Sequence, residues 1–262
     1  MMLHEELEFA KKLALEAGEI MRKYFGKSPE PEFKEDDTIV TIADKEINQM
    51  VIDRIIKKYP EDGLDGEEQS HNKESDRLWV CDPIDGTNPF AMGLAVSVFS
   101  IALVIDGAPK LGVIYDFISD RLYHAQVGSG AFCNNDKISV SQEILNEKSR
   151  INFDWWPEAE YQVITSLVKL SKDKRVYLLS PGSTTHMAAL VSRGEFVASI
   201  FSGTKGKNVD IAAAKVIVEE AGGKVTDLFG DEQRYDRDIK GAIVSNGTVH
   251  DEIVEYLKGD LL

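Results

Sequence analysis

The chain has 262 residues, 43% of them hydrophobic and 29% charged, a composition that supports a folded core and excludes disorder as the main state. Its 45 acidic against 30 basic residues leave a formal charge of −15, a field that repels nucleic-acid polymers and anionic membrane surfaces. A small phosphate ester remains open as a ligand, provided that bound metal ions supply the local positive charge.

The longest apolar run, Leu94 to Ile105, is interrupted by Ser97 and Ser100 and is well short of the ~20 residues that cross a bilayer. The first eight residues, Met1 to Glu8, lack a basic start and an apolar stretch, so the expected location is cytoplasmic. Cys81 and Cys133 have no CxxC spacing and read as core thiols.

Apolar residues at 3, 7, 10, 13, 14, 17, 20, 21 and 24 predict an amphipathic helix over Leu3 to Phe25, stopped by Gly26 and Pro29. An acidic loop, Lys34 to Thr41, precedes a second helix over Ile42 to Tyr59, closed by Pro60 and Gly63. Short β-rich runs follow at Leu78 to Cys81, Val96 to Ile105, Leu111 to Phe117 and Arg121 to Ala125, with turns at Asp106-Gly107 and Ser119-Asp120. They predict an antiparallel meander. Beyond about residue 145 the pattern alternates. Helices are expected over Glu158 to Leu170, Ser183 to Ser192, Val209 to Ala221 and Val249 to Leu257. Strands are expected over Val176 to Leu179, Phe196 to Phe201 and Ala242 to Ser245. The domain organisation expected is an N-terminal α+β half, 1–145, and a C-terminal α/β half, 146–262, with a small-molecule site in the cleft between them.

The run Trp79-Val80-Cys81-Asp82-Pro83-Ile84-Asp85-Gly86-Thr87 ends an apolar strand with two carboxylates three apart. Pro83 and Gly86 predict a turn that brings both acids to one point and faces the Ile84 carbonyl inward. Such hard oxygen donors suit Mg²⁺, while Gly86 and Thr87 offer backbone N–H groups to a phosphate. A simple Asx turn would also account for a bare pair of aspartates. The acidic loop Asp62 to Glu68 is not an EF-hand and alone reads as a solvated charge run. Asn208 reads as a helix N-cap, with Asp210 in the first turn. The five histidines lack HxH or HExxH pairing, and GxSxG and P-loop motifs are absent, which leaves no rival catalytic set.

Taken in order, Gly66-Glu67-Glu68, Asp82-Pro83-Ile84-Asp85-Gly86-Thr87, Asp210 ahead of an Ala-rich helix, and Glu219-Glu220-Ala221-Gly222-Gly223 resemble the inositol monophosphatase family of metal-dependent, lithium-sensitive phosphatases. Thr41-Ile42-Ala43-Asp44 and Gly128 to Asn134 resemble family segments in the same order. The resemblance implies a layered αβαβα sugar-phosphatase fold and a homodimer. It implies two to three Mg²⁺ ions: Glu67, Asp82 and the Ile84 carbonyl would hold one, and Asp82, Asp85 and Asp210 a second, with Glu67 reaching a weaker third. Thr87, hydrogen-bonded to Asp44, would orient the attacking water. Asp85, Gly86, Thr87, Gly182, Ser183, Thr184 and Asp210 would contact substrate.

Three departures bear on the substrate. Pro89 stands where many members have asparagine, Val209 where they have tryptophan, and Ser202-Gly203-Thr204-Lys205-Gly206-Lys207 where inositol-preferring members carry an acid. The basic loop fits a second phosphate or a carboxylate. The function expected is a phosphomonoesterase of a small sugar or polyol phosphate such as inositol monophosphate. The alternatives are a fructose-1,6-bisphosphatase, a 3′-phosphonucleotide phosphatase, or a non-catalytic phosphate-binding protein on this scaffold, whose mark would be a lost metal-binding acid. None is lost.

Overall fold

The computed structural model describes residues 3–27, 32–33, 39–156, 159–202 and 207–261. Helix α1 (His4–Tyr24) buries the stripe Ala10, Leu13, Ala14, Ala17 and Met21, as its spacing predicts. The pair β1 (Glu32–Phe33) and β2 (Ile39–Val40) is antiparallel and borders the expected acidic loop, whose residues 34–38 lie outside the described ones. Helix α2 (Ile42–Lys58) starts at a capping box: the Thr41 side chain accepts from the Asp44 N–H, and the Asp44 carboxylate accepts from the Thr41 N–H. Two orphan donors of the first turn are thereby satisfied.

A seven-stranded sheet follows, built from β3 (Gly63–Gly66), β4 (Arg77–Asp85), β5 (Val98–Ile105), β6 (Ala108–Asp116), β7 (Arg121–Gln126), β8 (Ala131–Cys133) and β9 (Asp136–Ile138), in that spatial order. The short helix α3 (Thr87–Met92) leaves the end of β4. Strands β3 and β4 are parallel, and the remaining neighbours are antiparallel, which matches the meander.

The second sheet is less regular than simple alternation predicts. It joins β10 (Arg150–Asp154), β11 (Tyr177–Leu179), β12 (Ala198–Phe201), β13 (Lys224–Thr226) and β14 (Ala242–Ser245) in the order β11-β10-β12-β14-β13. Strand β10 lies parallel to β11 and β12, whereas β14 runs antiparallel to both β12 and β13. The helices on this half are α4 (Ile164–Lys174), α5 (Thr184–Ser192), α6 (Ala212–Glu220) and α7 (His250–Leu261). Helix α4 starts later than its predicted Glu158, and residues 157–158 lie outside the described ones. Asn208 does not cap a helix. It sits in a 3-10 turn, Asn208–Asp210, and α6 begins only at Ala212, because the buried Asn208 amide is bonded to Asp65 and to the Tyr235 carbonyl instead.

Three apolar clusters define five layers. Trp79, Cys81, Leu103 and Tyr115 pack with Leu13 of α1 and Ile47 of α2. The alternate residues Leu78, Val80, Ala102 and Ile114 face the other way, against Ala188 of α5 and Ile217 of α6, which also meet Val225 and Val244 of the second sheet. On that sheet's outer face Ile151, Ile200 and Ile243 pack with Leu167 of α4 and Ile253 of α7. The layer order is therefore αβαβα, with α5 and α6 between the sheets. Gly112 makes the close approach of β6 to α6 possible: a Cβ there would fall 2.4 Å from the Ala213 carbonyl oxygen. Both cysteines are buried and free, as expected for core thiols.

Candidate active site

The Asp82–Asp85 segment is a bulge inside a strand. Asp82 pairs with Ser100 and Asp85 with Val98, so three steps along β4 meet two along β5. Pro83, which lacks an N–H, stands at the irregularity. One extra residue reverses the alternation of side chains. Leu78 and Val80 face the α5/α6 layer, whereas Ile84 packs on the α1/α2 side, which leaves Asp85 on the same face as Asp82. The turn predicted after Cys81 is thus a bulged continuation of β4. The Asx contact is present as well, since Asp82 Oδ1 accepts from the Ile84 N–H at 2.9 Å.

Asp210 reaches the same point from the turn before α6. Asp82, Asp85 and Asp210 are all buried, and each places a carboxylate oxygen within 4.8 Å of the others. The start of α5 locks them together. Asp85 Oδ2 accepts from the Ser183 hydroxyl and from the Thr185 N–H at 3.0 Å, and the Thr185 hydroxyl donates to the Asp210 carbonyl at 2.7 Å. Gly86 adopts φ +84°, and a Cβ there would meet the Gly182 carbonyl oxygen at 2.9 Å. Only glycine lets the end of β4 touch the chain entering α5.

Burial drives the Asp82 carboxyl well above the usual range, and the charges of Glu67, Asp85 and Asp210 push it further. Asp210 is raised by burial and by Asp85, and Asp85 is raised by burial against the hydrogen bond from Ser183. Three buried carboxylates this close cannot all ionise unless cations share the space. The donor set consists of hard oxygens and so fits Mg²⁺.

Glu67 follows β3, and its N–H donates to the Cys81 carbonyl at 3.1 Å, which sets it beside Asp82. Its carboxylate accepts from the Lys207 ammonium. Burial opposes the lysine charge, but Glu67 and Asp210 outweigh it and hold the ammonium above the ordinary lysine range. The Ile84 carbonyl accepts from the Thr87 hydroxyl at 3.0 Å, and the same hydroxyl lies 3.3 Å from Asp44 Oδ1. Burial raises Asp44 to about 7, against the bonds from Thr41, with Glu68 and Glu67 adding to the rise.

The acidic run 62–68 is not a solvated face. Asp62 is buried against Arg77 and Trp79, and Asp65 is bonded to Lys73, Ser70 and Asn208. Of the expected substrate contacts, Ser183 turns its hydroxyl to Asp85, and Thr184 donates to Asp154 Oδ2 at 2.7 Å. Gly203, Thr204, Lys205 and Gly206 lie outside the described residues. Sequence reasoning missed Asp154, which ends β10. Asn152 also donates to its Oδ2, at 3.2 Å, and its charge is felt by both Asp85 and Asp210. An acid at the carboxyl end of a strand flanked by parallel neighbours is a usual site position, but that signal needs the strand to be recognised first.

The sequence profile of the inositol monophosphatase family matches residues 2–260. A Thermotoga maritima relative named fructose-1,6-bisphosphatase/inositol-1-monophosphatase is 35% identical over 254 residues, 97% of this chain and 96% of its own. Among solved structures, an IMPase of Thermotoga maritima matches with a TM-score of 0.88 at 33% identity, covering 98% of each chain. An IMPase/NADP phosphatase complexed with Mg²⁺ and phosphate matches with a TM-score of 0.83 at 26% identity, over 97% of this chain and 95% of its own. No helix among the described residues is long and apolar enough to cross a membrane. By profile, relatives and fold together, the chain belongs to the inositol monophosphatase family and is a phosphoric monoester hydrolase.

Proposed function

We propose that the chain is a Mg²⁺-dependent phosphomonoesterase of a small sugar or polyol phosphate such as inositol monophosphate. The observation that carries this reading is the convergence of Asp82, Asp85 and Asp210 beside the Thr87–Asp44 contact. Glu67, Asp82 and the Ile84 carbonyl would hold one ion, and Asp82, Asp85 and Asp210 another. When bound, Mg²⁺ supplies positive charge to the phosphate oxygens and makes water a better nucleophile at neutral pH.

The protein's own part is orientation. The Thr87 hydroxyl has one proton and two acceptors in reach, Asp44 Oδ1 and the Ile84 carbonyl. With that proton committed, its lone pairs are left to accept from the attacking water and aim it. Asp44 serves as a positioning residue, itself fixed by the Thr41 N–H and hydroxyl. The Gly86 and Thr87 N–H groups seat the phosphate where the bulged strand turns into α3.

One observation favours a second substrate, fructose 1,6-bisphosphate: the Thermotoga relative carries both activities in its name. Release of inorganic phosphate from inositol 1-phosphate, fructose 1,6-bisphosphate and a 3′-phosphonucleotide, with Mg²⁺ and with EDTA, tests the proposal. Turnover is expected only with Mg²⁺, and the preferred ester identifies the substrate. Equal inertness of the wild type and Asp85→Asn on every ester would end the reading.

A further inference from the structure

Lys207 stands three residues before Asp210, on the same approach to the site, and its ammonium bonds to Glu67 across 140 residues of sequence. The contact is enclosed: the lysine side chain is 22% exposed and the glutamate 10%. The ammonium also sits within the fields of Asp210 and Asp82. A primary ammonium is a compact, strongly hydrated charge. Holding it in a pocket of carboxylates means that they replace its water, which is also how such a pocket would receive a metal ion.

The geometry points to Lys207 as a tethered cation that occupies the place on Glu67 which the metal ion shared with Asp82 would otherwise take. This inference rests on the reading that Glu67 belongs to the metal-binding set. Its logic is competition. Four carboxylates, Glu67, Asp82, Asp85 and Asp210, are matched in charge by two divalent ions. A lysine of the chain adds one further positive charge at Glu67 with no loss of translational freedom on binding, because it is already attached. A metal ion that takes both oxygens of Glu67 must first break a charge-assisted hydrogen bond. A cavity of about 350 Å³ next to the contact is lined by Lys207, Glu67, Glu68, Asp65, Lys73 and Asp238, with Lys73 already paired to Asp65 at 2.7 Å, so an ammonium released from Glu67 has room to move. Lys207 therefore weakens metal binding at Glu67.

The test is a Mg²⁺ titration of the full chain without substrate, followed by calorimetry, in wild type, Lys207→Met, Glu67→Gln and the double variant. Lys207→Met is expected to bind Mg²⁺ about tenfold more tightly than wild type. In the Glu67→Gln background the same lysine change should alter the affinity less than about twofold, since the competitor's seat is gone. Thermal unfolding gives a second measurement. In EDTA, Lys207→Met should melt below wild type because an internal counter-ion is lost, and in excess Mg²⁺ the order should reverse. A lysine with only a structural part would lower both melting points. Equal Mg²⁺ affinity in wild type and Lys207→Met overturns the inference while leaving the phosphatase reading intact. So does a gain that persists in the Glu67→Gln background. Absence of Mg²⁺ binding in all four proteins overturns both. Should Lys207→Met fail to fold, Lys207→Gln provides the same comparison.

Discussion

The Thr87 hydroxyl lies 3.3 Å from Asp44 Oδ1 and joins segments 43 residues apart. Asp44 uses its other oxygen to cap α2, accepting from the Thr41 N–H at 2.8 Å. One carboxylate thus caps the start of a helix and addresses the site. Thr87→Ala removes the hydroxyl but leaves the cap alone. The expected result is a fall in kcat of about 10²-fold with Mg²⁺ affinity and melting temperature close to wild type. Asp44→Asn should lower kcat similarly and also disturb the start of α2. Steady-state kinetics beside thermal unfolding separates the two variants, and an undiminished kcat in Thr87→Ala removes the orienting role.

The crowding of Asp82, Asp85 and Asp210 has an opposite-signed consequence for stability. Their mutual repulsion and burial destabilise the ionised cluster when no cation is bound, so Asp210→Asn should raise the melting temperature in EDTA by a few degrees, on the order of 1 kcal/mol. The same change should abolish most of the stabilisation that Mg²⁺ gives the wild type, and lower kcat by about 10³-fold. Melting curves in EDTA and in Mg²⁺ check both halves, and a lower melting point in EDTA would contradict the electrostatic account.

Much of this site was legible along the chain, for reasons that differ by residue. Asp82 and Asp85 are close in sequence, so their convergence needed only a local irregularity, although a bulge rather than a terminal turn produces it. The segments Gly128 to Asn134 and Glu219 to Gly223 stand out separately in the sequence, and the structure joins them: the Glu220 carboxylate accepts the N–H groups of Gly128 and Gly130 at 2.7 and 2.6 Å. Asp154 was invisible because β10, Arg-Ile-Asn-Phe-Asp, has two apolar residues in five and ends on an acid. Its neighbours in the sheet supply the β-structure that its own composition does not. Asn208 has the residue type of an N-cap, but tertiary hydrogen bonds to Asp65 and Tyr235 outcompete that local use.

The raised carboxyls also link stability to pH. Asp44 is lifted to about 7 in the folded chain from an ordinary carboxylate value of about 3.9, so the native state binds the extra proton in that interval. The stability that this group contributes is fully present below the lower value and is lost as pH rises through about 7. Asp85 is shifted in the same direction by burial. Mg²⁺ favours the ionised forms, and the rise in melting temperature that it produces should therefore be larger at pH 8 than at pH 5.5. At pH 6, binding should release about one proton or more per chain, measured by calorimetry in buffers of different ionisation enthalpy. A pH-independent Mg²⁺ effect would mean that these acids are already ionised before the metal arrives.

Asp154 offers the clearest handle on what the site accepts besides phosphate. Its Oδ2 is held by Thr184 and Asn152, and its backbone carbonyl accepts from Ser202, so the group is fixed before any ligand arrives. A carboxylate preset in this way is an acceptor for hydroxyl groups of a polyol and a poor neighbour for a second phosphate. Asp154→Asn keeps the shape and removes the charge. For a polyol monophosphate it should raise KM about tenfold, the loss of one charge-assisted hydrogen bond, with kcat nearly unchanged. For an aryl phosphate, which has no hydroxyl to present, KM should stay within about twofold. With fructose 1,6-bisphosphate the expected sign is opposite, a lower KM, because a repulsive charge has gone. Michaelis–Menten measurements on the three esters decide the matter: a uniform change across them assigns Asp154 to the framework, and a selective one assigns it to recognition of the alcohol.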